Sequence, residues 1–222
     1  MARIVLLRHA HSVANEKNLL AGRTAGIALS KTGKAQAEDL IARLGATNFD
    51  EVAISPLQRC RETIDPWLAA GGVKSPVVVD DSVSEVDYGN WSGKTLSSLR
   101  RKSQWKVVQD FPSQMIFPEG ESLLEMQGRA LSGFYRLNAV KGKGPRLLVS
   151  HGDVIKAIVA SALGMHLDEF QRIIIDPASV SIIEYSSVRP RVLLVNDTRA
   201  VITDLLQAPK RSKNLLGGGS GK

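Results

Sequence analysis

The sequence predicts an α/β fold: a single wound, three-layer domain whose mostly parallel central sheet is flanked by helices. Short β-branched runs alternate with longer stretches of helical periodicity, the pattern of a wound sheet. Helix-start chemistry follows directly on several of these runs, as in Val52-Ala53-Ile54 leading into Ser55-Pro56-Leu57-Gln58. The length of 222 residues, with 43% hydrophobic and 23% charged, suits one sizeable core and excludes a disordered or fibrous chain.

Ile4 to Leu7 reads as a first buried strand. Lys31 to Leu44 reads as a helix, because Leu40, Ile41 and Leu44 recur at helical spacing. Val52 to Ile54 is a second strand. In the tetrapeptide after it, Ser55 is placed as an N-cap, Pro56 at the first helical position and Gln58 at the third. Pro66 is expected to bend or end that helix. Val77 to Val79 is a third strand, followed by a glycine-containing loop, Asp87 to Gly93. Ser122-Leu123-Leu124-Glu125 is a capping box opening a helix that reaches Val140. Arg146 to Val149 is a buried strand with a helix, Asp153 to Leu163, at its tip. Val180 to Tyr185 and Val192 to Val195 close the series as two late strands. Residues 1–207 are expected to form the domain. Residues 208–222, basic and rich in glycine, have linker chemistry and are expected to be a disordered tail.

The net charge of +7 suggests a polyanionic partner until its placement is considered. Lys210, Arg211, Lys213 and Lys222 carry four of those seven charges beyond the last acid, Asp204, which leaves too little for a nucleic-acid footprint. A single cysteine, Cys60, rules out an intrachain disulfide and a cysteine-rich zinc site. The first apolar run stops at Arg8, too short for a signal peptide or a membrane span. These features read as a cytoplasmic protein without a membrane or nucleic-acid partner, monomeric or homodimeric.

In wound sheets, ligands gather at the carboxyl ends of the strands beside helix N-termini. Three such ends carry unusual residues: Arg8-His9, Ser55 with Arg59 one turn on, and Ser150-His151-Gly152. Glu85 lies between them in sequence. A phosphoryl group presents about two negative charges and three acceptor oxygens. Arginine forks match those oxygens, an imidazole can take phosphorus covalently, and a carboxylic acid can protonate a departing alkoxide.

Leu7-Arg8-His9-Ala10 resembles the Arg-His-Gly signature of the histidine phosphatase superfamily, also called phosphoglycerate mutase-like. Leu29-Ser30-Lys31-Thr32-Gly33 with Gln36-Ala37 is similar to the family's first helix start, and Ser55 to Thr63 to its S-P-L-x-R-x-x-x-T motif. Glu85 to Gly93 resembles the acid loop E-x-x-[FY]-G-x-W-x-G, Pro118 to Ser122 the P-x-G-E-S motif, and Ser150-His151-Gly152 the second histidine motif. Leu20-Ala21-Gly22-Arg23-Thr24 resembles an actinobacterial phosphomutase/phosphatase branch. The resemblance implies His9 as phospho-acceptor, Arg8, Arg59 and His151 lining the phosphate pocket, and Glu85 as proton donor. It implies Asn15 as a phosphate contact, with Gly22, Arg23 and Gly152 as further substrate-binding candidates, and no metal or other cofactor. Two positions depart from the pattern: Ala10 stands where glycine is usual, and His11 where the family varies.

The expected activity is hydrolysis of a small phosphate ester. Only 66 residues separate Glu85 from His151, which favours a phosphatase over a phosphoglycerate mutase-type phosphomutase. Two readings of other classes compete. His9-Ala10-His11 could open an H-x-H metal-dependent phosphoesterase, although the further His and Asp ligands such enzymes need are not evident. A phosphate-binding protein without catalysis is the other. Arg61 is read as a solvated helix residue, Trp91 as a loop anchor and Cys60 as a buried apolar side chain. Asp87 could compete with Glu85 as the acid.

Overall fold

Five of the six strands point the same way, and the one reversed strand sits next to the edge. The structure is a computed structural model that describes residues 2–71, 76–185 and 189–206. The tail expected from residue 208 onward lies outside the described residues. In chain order the strands are β1 (Ala2–Arg8), β2 (Val52–Ile54), β3 (Val77–Val79), β4 (Arg146–Ser150), β5 (Val180–Tyr185) and β6 (Pro190–Asp197). Their spatial order is β3-β2-β4-β1-β5-β6, with β5 antiparallel to both neighbours. The fourth strand in the chain, β4, is inserted between β1 and β2.

Helices cover both faces. One face carries α2 (Lys31–Leu44) and α3 (Gln58–Gly71), and the other α6 (Leu123–Asn138) and α7 (Gly152–Ala162). Short helices α1 (Val13–Glu16), α4 (Leu96–Leu99), α5 (Gln104–Asp110) and α8 (Ile202–Leu206) complete the described set. Along β1 the pleat sends Ile4 and Leu6 into the core shared with α6 and α7, while Val5 and Leu7 enter the core shared with α2 and α3. A strand buried on both faces must be apolar at every position, which is why β1 and β4 read as unbroken hydrophobic runs.

The predicted capping box of α6 is present, with Ser122 Oγ accepting from Glu125 N–H and the Glu125 carboxylate accepting from Ser122 N–H. One local expectation is corrected. Helix α3 begins at Gln58 rather than at Pro56, and the Ser55 hydroxyl accepts from Leu57 N–H at 3.4 Å while also bonding His151 Nε2 at 2.7 Å. Pro66 lies inside α3 without ending it. It removes one backbone hydrogen bond, and burial of Ile64 and Trp67 on either side of it offsets that loss. Among the described residues no helix is long and apolar enough to cross a membrane.

The start of α2 presses on the loop after β1. Ser30 caps the helix by accepting from Gly33 N–H and also bonds the His11 carbonyl. A Cβ at Gly33 would sit 1.9 Å from that same carbonyl oxygen. Gly33→Ala is therefore expected to force the helix off the loop and destabilise the fold by roughly 1–3 kcal/mol. Urea denaturation of the two proteins checks this, and an unchanged midpoint would contradict the packing described.

Candidate functional site

The ends of β1, β4 and β2 lie side by side, so Arg8, Ser150 and Ile54 close adjacent strands and the residues after them share one edge. A cavity of about 480 Å³ opens there, lined among others by Arg8, His9, Asn15, Gly22, Arg59, Glu85 and Gly152. His151 stands directly behind it, with its ring centroid 5.2 Å from that of His9.

His9 is 3% exposed, and its Nδ1 lies 2.8 Å from the Ala10 carbonyl. A carbonyl only accepts, so Nδ1 carries the proton and Nε2 keeps the lone pair. His151 takes the opposite tautomer. Arg59 Nη2 donates to its Nδ1 at 3.1 Å, so Nε2 carries the hydrogen and donates to Ser55 Oγ at 2.7 Å. Burial, followed by the charges of Arg59 and Arg8, holds the His9 imidazole well below its ordinary pKa. Burial and Arg59 do the same to His151. Both rings are neutral at physiological pH.

Arg59 is 1% exposed and also donates to the Gly22 carbonyl at 2.9 Å, a contact made possible by the left-handed backbone of Gly22 at φ 52°. Arg8 donates to the Ile175 carbonyl. Arg8 Nε and Arg59 Nε are buried and make no hydrogen bond within the protein. Gly152 opens α7, and a Cβ there would come within 3.3 Å of Arg8 Cζ, so the missing side chain lets the guanidinium lie close to the helix N-terminus. The buried Arg59 and the half-buried Arg8 beside a helix start make an anion cradle.

Asn15 lines the cavity with its carboxamide oxygen fixed by the Ser12 N–H at 2.9 Å and the Ser12 hydroxyl at 2.8 Å, which leaves the amide nitrogen as a donor. Glu85 is buried, and its Oε1 accepts from Val86 N–H at 3.0 Å. Burial first, then the charge of Asp153, pushes its carboxyl up to about 7. Asp87 does not line the cavity; its carboxylate accepts from Gly89 N–H in a local turn.

Arg23 also stays outside the cavity lining. Its Nε donates to the Glu85 carbonyl at 2.9 Å, and its Nη2 reaches Glu121 at 3.1 Å. Arg129, which the sequence reading passed over, is the centre of the same network. It donates to the carbonyls of Ser82, Ser84 and Glu85 and to both oxygens of Glu121. Arg129 lies mid-helix, so its only sequence signal was its place seven residues after the Ser122 capping motif. Asp153, Tyr88 and Lys156 were also passed over. Tyr88 donates to Asp153 Oδ2 at 2.8 Å, and Lys156 Nζ lies 3.3 Å from Asp153 Oδ1.

His11 turns away, with Nδ1 bonded to the Ser30 hydroxyl at 2.8 Å, so the two rings of His9-Ala10-His11 do not converge. Among the described residues no three His, Cys, Asp or Glu side chains are grouped to hold a metal ion. Arg61 pairs with Asp65 at the surface, and Trp91 packs in the core as well as lining the cavity. Cys60 is buried, and burial pushes its thiol up to about 12. Ser150 does not cap α7; its hydroxyl donates to the Val83 carbonyl.

The Glu85 carboxyl has a pH signature in stability. Its folded pKa is raised, so its contribution is fully present below the unfolded value and is lost as pH rises through about 7. Glu85→Gln carries no such charge. The stability of Glu85→Gln relative to the parent is expected to increase from pH 5 to pH 8.5. Urea midpoints at the two pH values measure this, and a constant difference would refute the raised carboxyl.

Residues 4–198 match the histidine phosphatase superfamily (branch 1). Phosphoserine phosphatase 1 of Hydrogenobacter thermophilus is 29% identical over 203 residues, which cover 89% of this chain and 93% of that protein. A bifunctional protein of Mycobacterium tuberculosis is 32% identical over 88% of this chain, which spans only 54% of that longer relative. YhfR of Bacillus stearothermophilus has the same fold, with a TM-score of 0.82 at 24% identity, covering 89% of this chain and 98% of that one. The match from residue 4 to residue 198, which spans nearly the whole described sheet, makes this chain a member of the histidine phosphatase superfamily.

Proposed function

We propose that the protein is a phosphatase acting on a small phosphate ester through a phosphohistidine on His9. The observation that carries this reading is the pairing of a neutral, buried His9, Nε2 free, with two guanidinium groups whose Nε atoms have no protein partner. In the first step Nε2 attacks phosphorus, the ester P–O bond breaks, and Glu85 gives its proton to the departing oxygen. A carboxyl raised to about 7 still holds that proton near neutrality. Arg8 and Arg59 balance the phosphoryl charge, and the Ala10 carbonyl supports the imidazole as it turns positive. In the second step Glu85, now a carboxylate, takes a proton from water. The water oxygen attacks phosphorus, the P–N bond breaks, and inorganic phosphate leaves with His9 restored. A phosphomutase would share the first step and use a second hydroxyl in place of water.

Two outcomes test this. Alkaline quenching of a reaction with labelled 4-nitrophenyl phosphate, in excess chelator, is expected to trap an acid-labile phosphoprotein that His9→Ala lacks. An active His9→Ala enzyme would sink the assignment. Glu85→Gln is expected to slow single-turnover phosphorylation from glycerol phosphate by about 10²–10⁴, and from 4-nitrophenyl phosphate far less, because nitrophenolate leaves without a proton. Arg59→Ala should depress both about equally, since it meets oxygens common to every ester. Equal losses for Glu85→Gln on both esters would place the proton donor elsewhere.

A further inference from the structure

The phosphate cradle occupies one end of the cavity, and the rest of its wall is of a different character. Leu20, Trp91, Leu96, Trp105, Val108 and Ile173 to Ile175 contribute apolar groups to it, alongside Gln109 and Gln171. Trp91 and Trp105 lie nearly parallel, with ring centroids 6.5 Å apart at 14°. An apolar wall of this kind discriminates through the surface it removes from water.

The charges point the same way. Apart from Arg8 and Arg59, Lys156 is the only cation among the described residues lining the cavity. It is already committed, 3.3 Å from Asp153 and 3.1 Å from Gln171 Oε1. Asp153 in turn accepts from Tyr88. Asp176 adds a second carboxylate to the lining, held by the Asn196 side chain at 2.8 Å. A substrate carboxylate placed here would meet two carboxylates, Asp153 and Asp176, and a single cation, Lys156, whose charge is already paired with Asp153.

We propose that the alcohol half of the substrate carries no carboxylate and presents an apolar or aromatic face to the Trp105 wall, so that the enzyme takes phosphate monoesters of neutral or cationic, apolar-faced alcohols. This rests on the phosphatase reading above, and it separates this chain from esters of short hydroxy acids and of serine, the ester for which the Hydrogenobacter relative is named.

The test compares kcat/KM of the full chain for 2-phenylethyl phosphate, 3-phosphoglycerate and O-phosphoserine. All three expel an alkoxide and make a similar demand on a general acid. The phenylethyl ester is expected to be preferred over each of the other two by at least about tenfold, the scale of one well-placed apolar contact. Trp105→Ala is expected to shrink that preference severalfold, and Trp105→Phe to retain most of it. A preference below tenfold in the parent protein overturns the inference whatever the variants do. Failure to hydrolyse 4-nitrophenyl phosphate or to form the His9 phosphoenzyme would instead remove the phosphatase reading, and this inference with it.

Discussion

Two guanidinium groups and two imidazoles are held out of water where three adjacent strands end, and the surrounding structure is arranged around that cost. A buried cation loses several kcal/mol of hydration unless partners replace the water. Here the Gly22 and Ile175 carbonyls and the His151 ring supply part of the replacement, while one nitrogen of each guanidinium remains without a protein partner. The same desolvation keeps both imidazoles neutral. Conditions that are unfavourable for folding are thus the conditions that give His9 a lone pair in a cationic surrounding.

The Glu85 segment is secured through its backbone. Its carbonyl accepts from Arg23 and Arg129, and Glu121 bridges these two arginines while accepting from Asp87 N–H. Partly buried, charge-assisted bonds of this kind define position more than they add stability. They leave the Glu85 side chain with one backbone donor and an environment set by burial and by Asp153. Arg23, a substrate-binding candidate from the sequence, also braces the backbone of the Glu85 segment.

The segment between Glu85 and α6 does a separate job. It contributes no strand, yet its Trp91, Leu96, Trp105 and Val108 line the cavity.

Much of the fold was legible because its signals are local. A strand buried on both faces must be apolar throughout, and a capping box satisfies its own helix end, so β1, β4, α2 and α6 follow from neighbouring residues. The motifs around His9, Ser55, Glu85 and His151 were legible as a set for the same reason. Their gathering at the strand ends followed from the wound-sheet pattern, but which strands are neighbours did not, because β4 enters between β1 and β2, a pairing of residues more than ninety positions apart in the chain. The fate of Arg23, the partners of Ser55 and the survival of α3 through Pro66 were also decided at long range. A side chain's role is set by whichever partner reaches it first in three dimensions. For Ser55 the shorter of its two bonds goes to a histidine ninety-six residues away, and the longer to Leu57 N–H beside it. By itself the sequence determined which residues could bind and transfer a phosphoryl group. The tertiary structure decided which of them face the cavity, because burial and hydrogen-bond partners exist only after the strands are aligned.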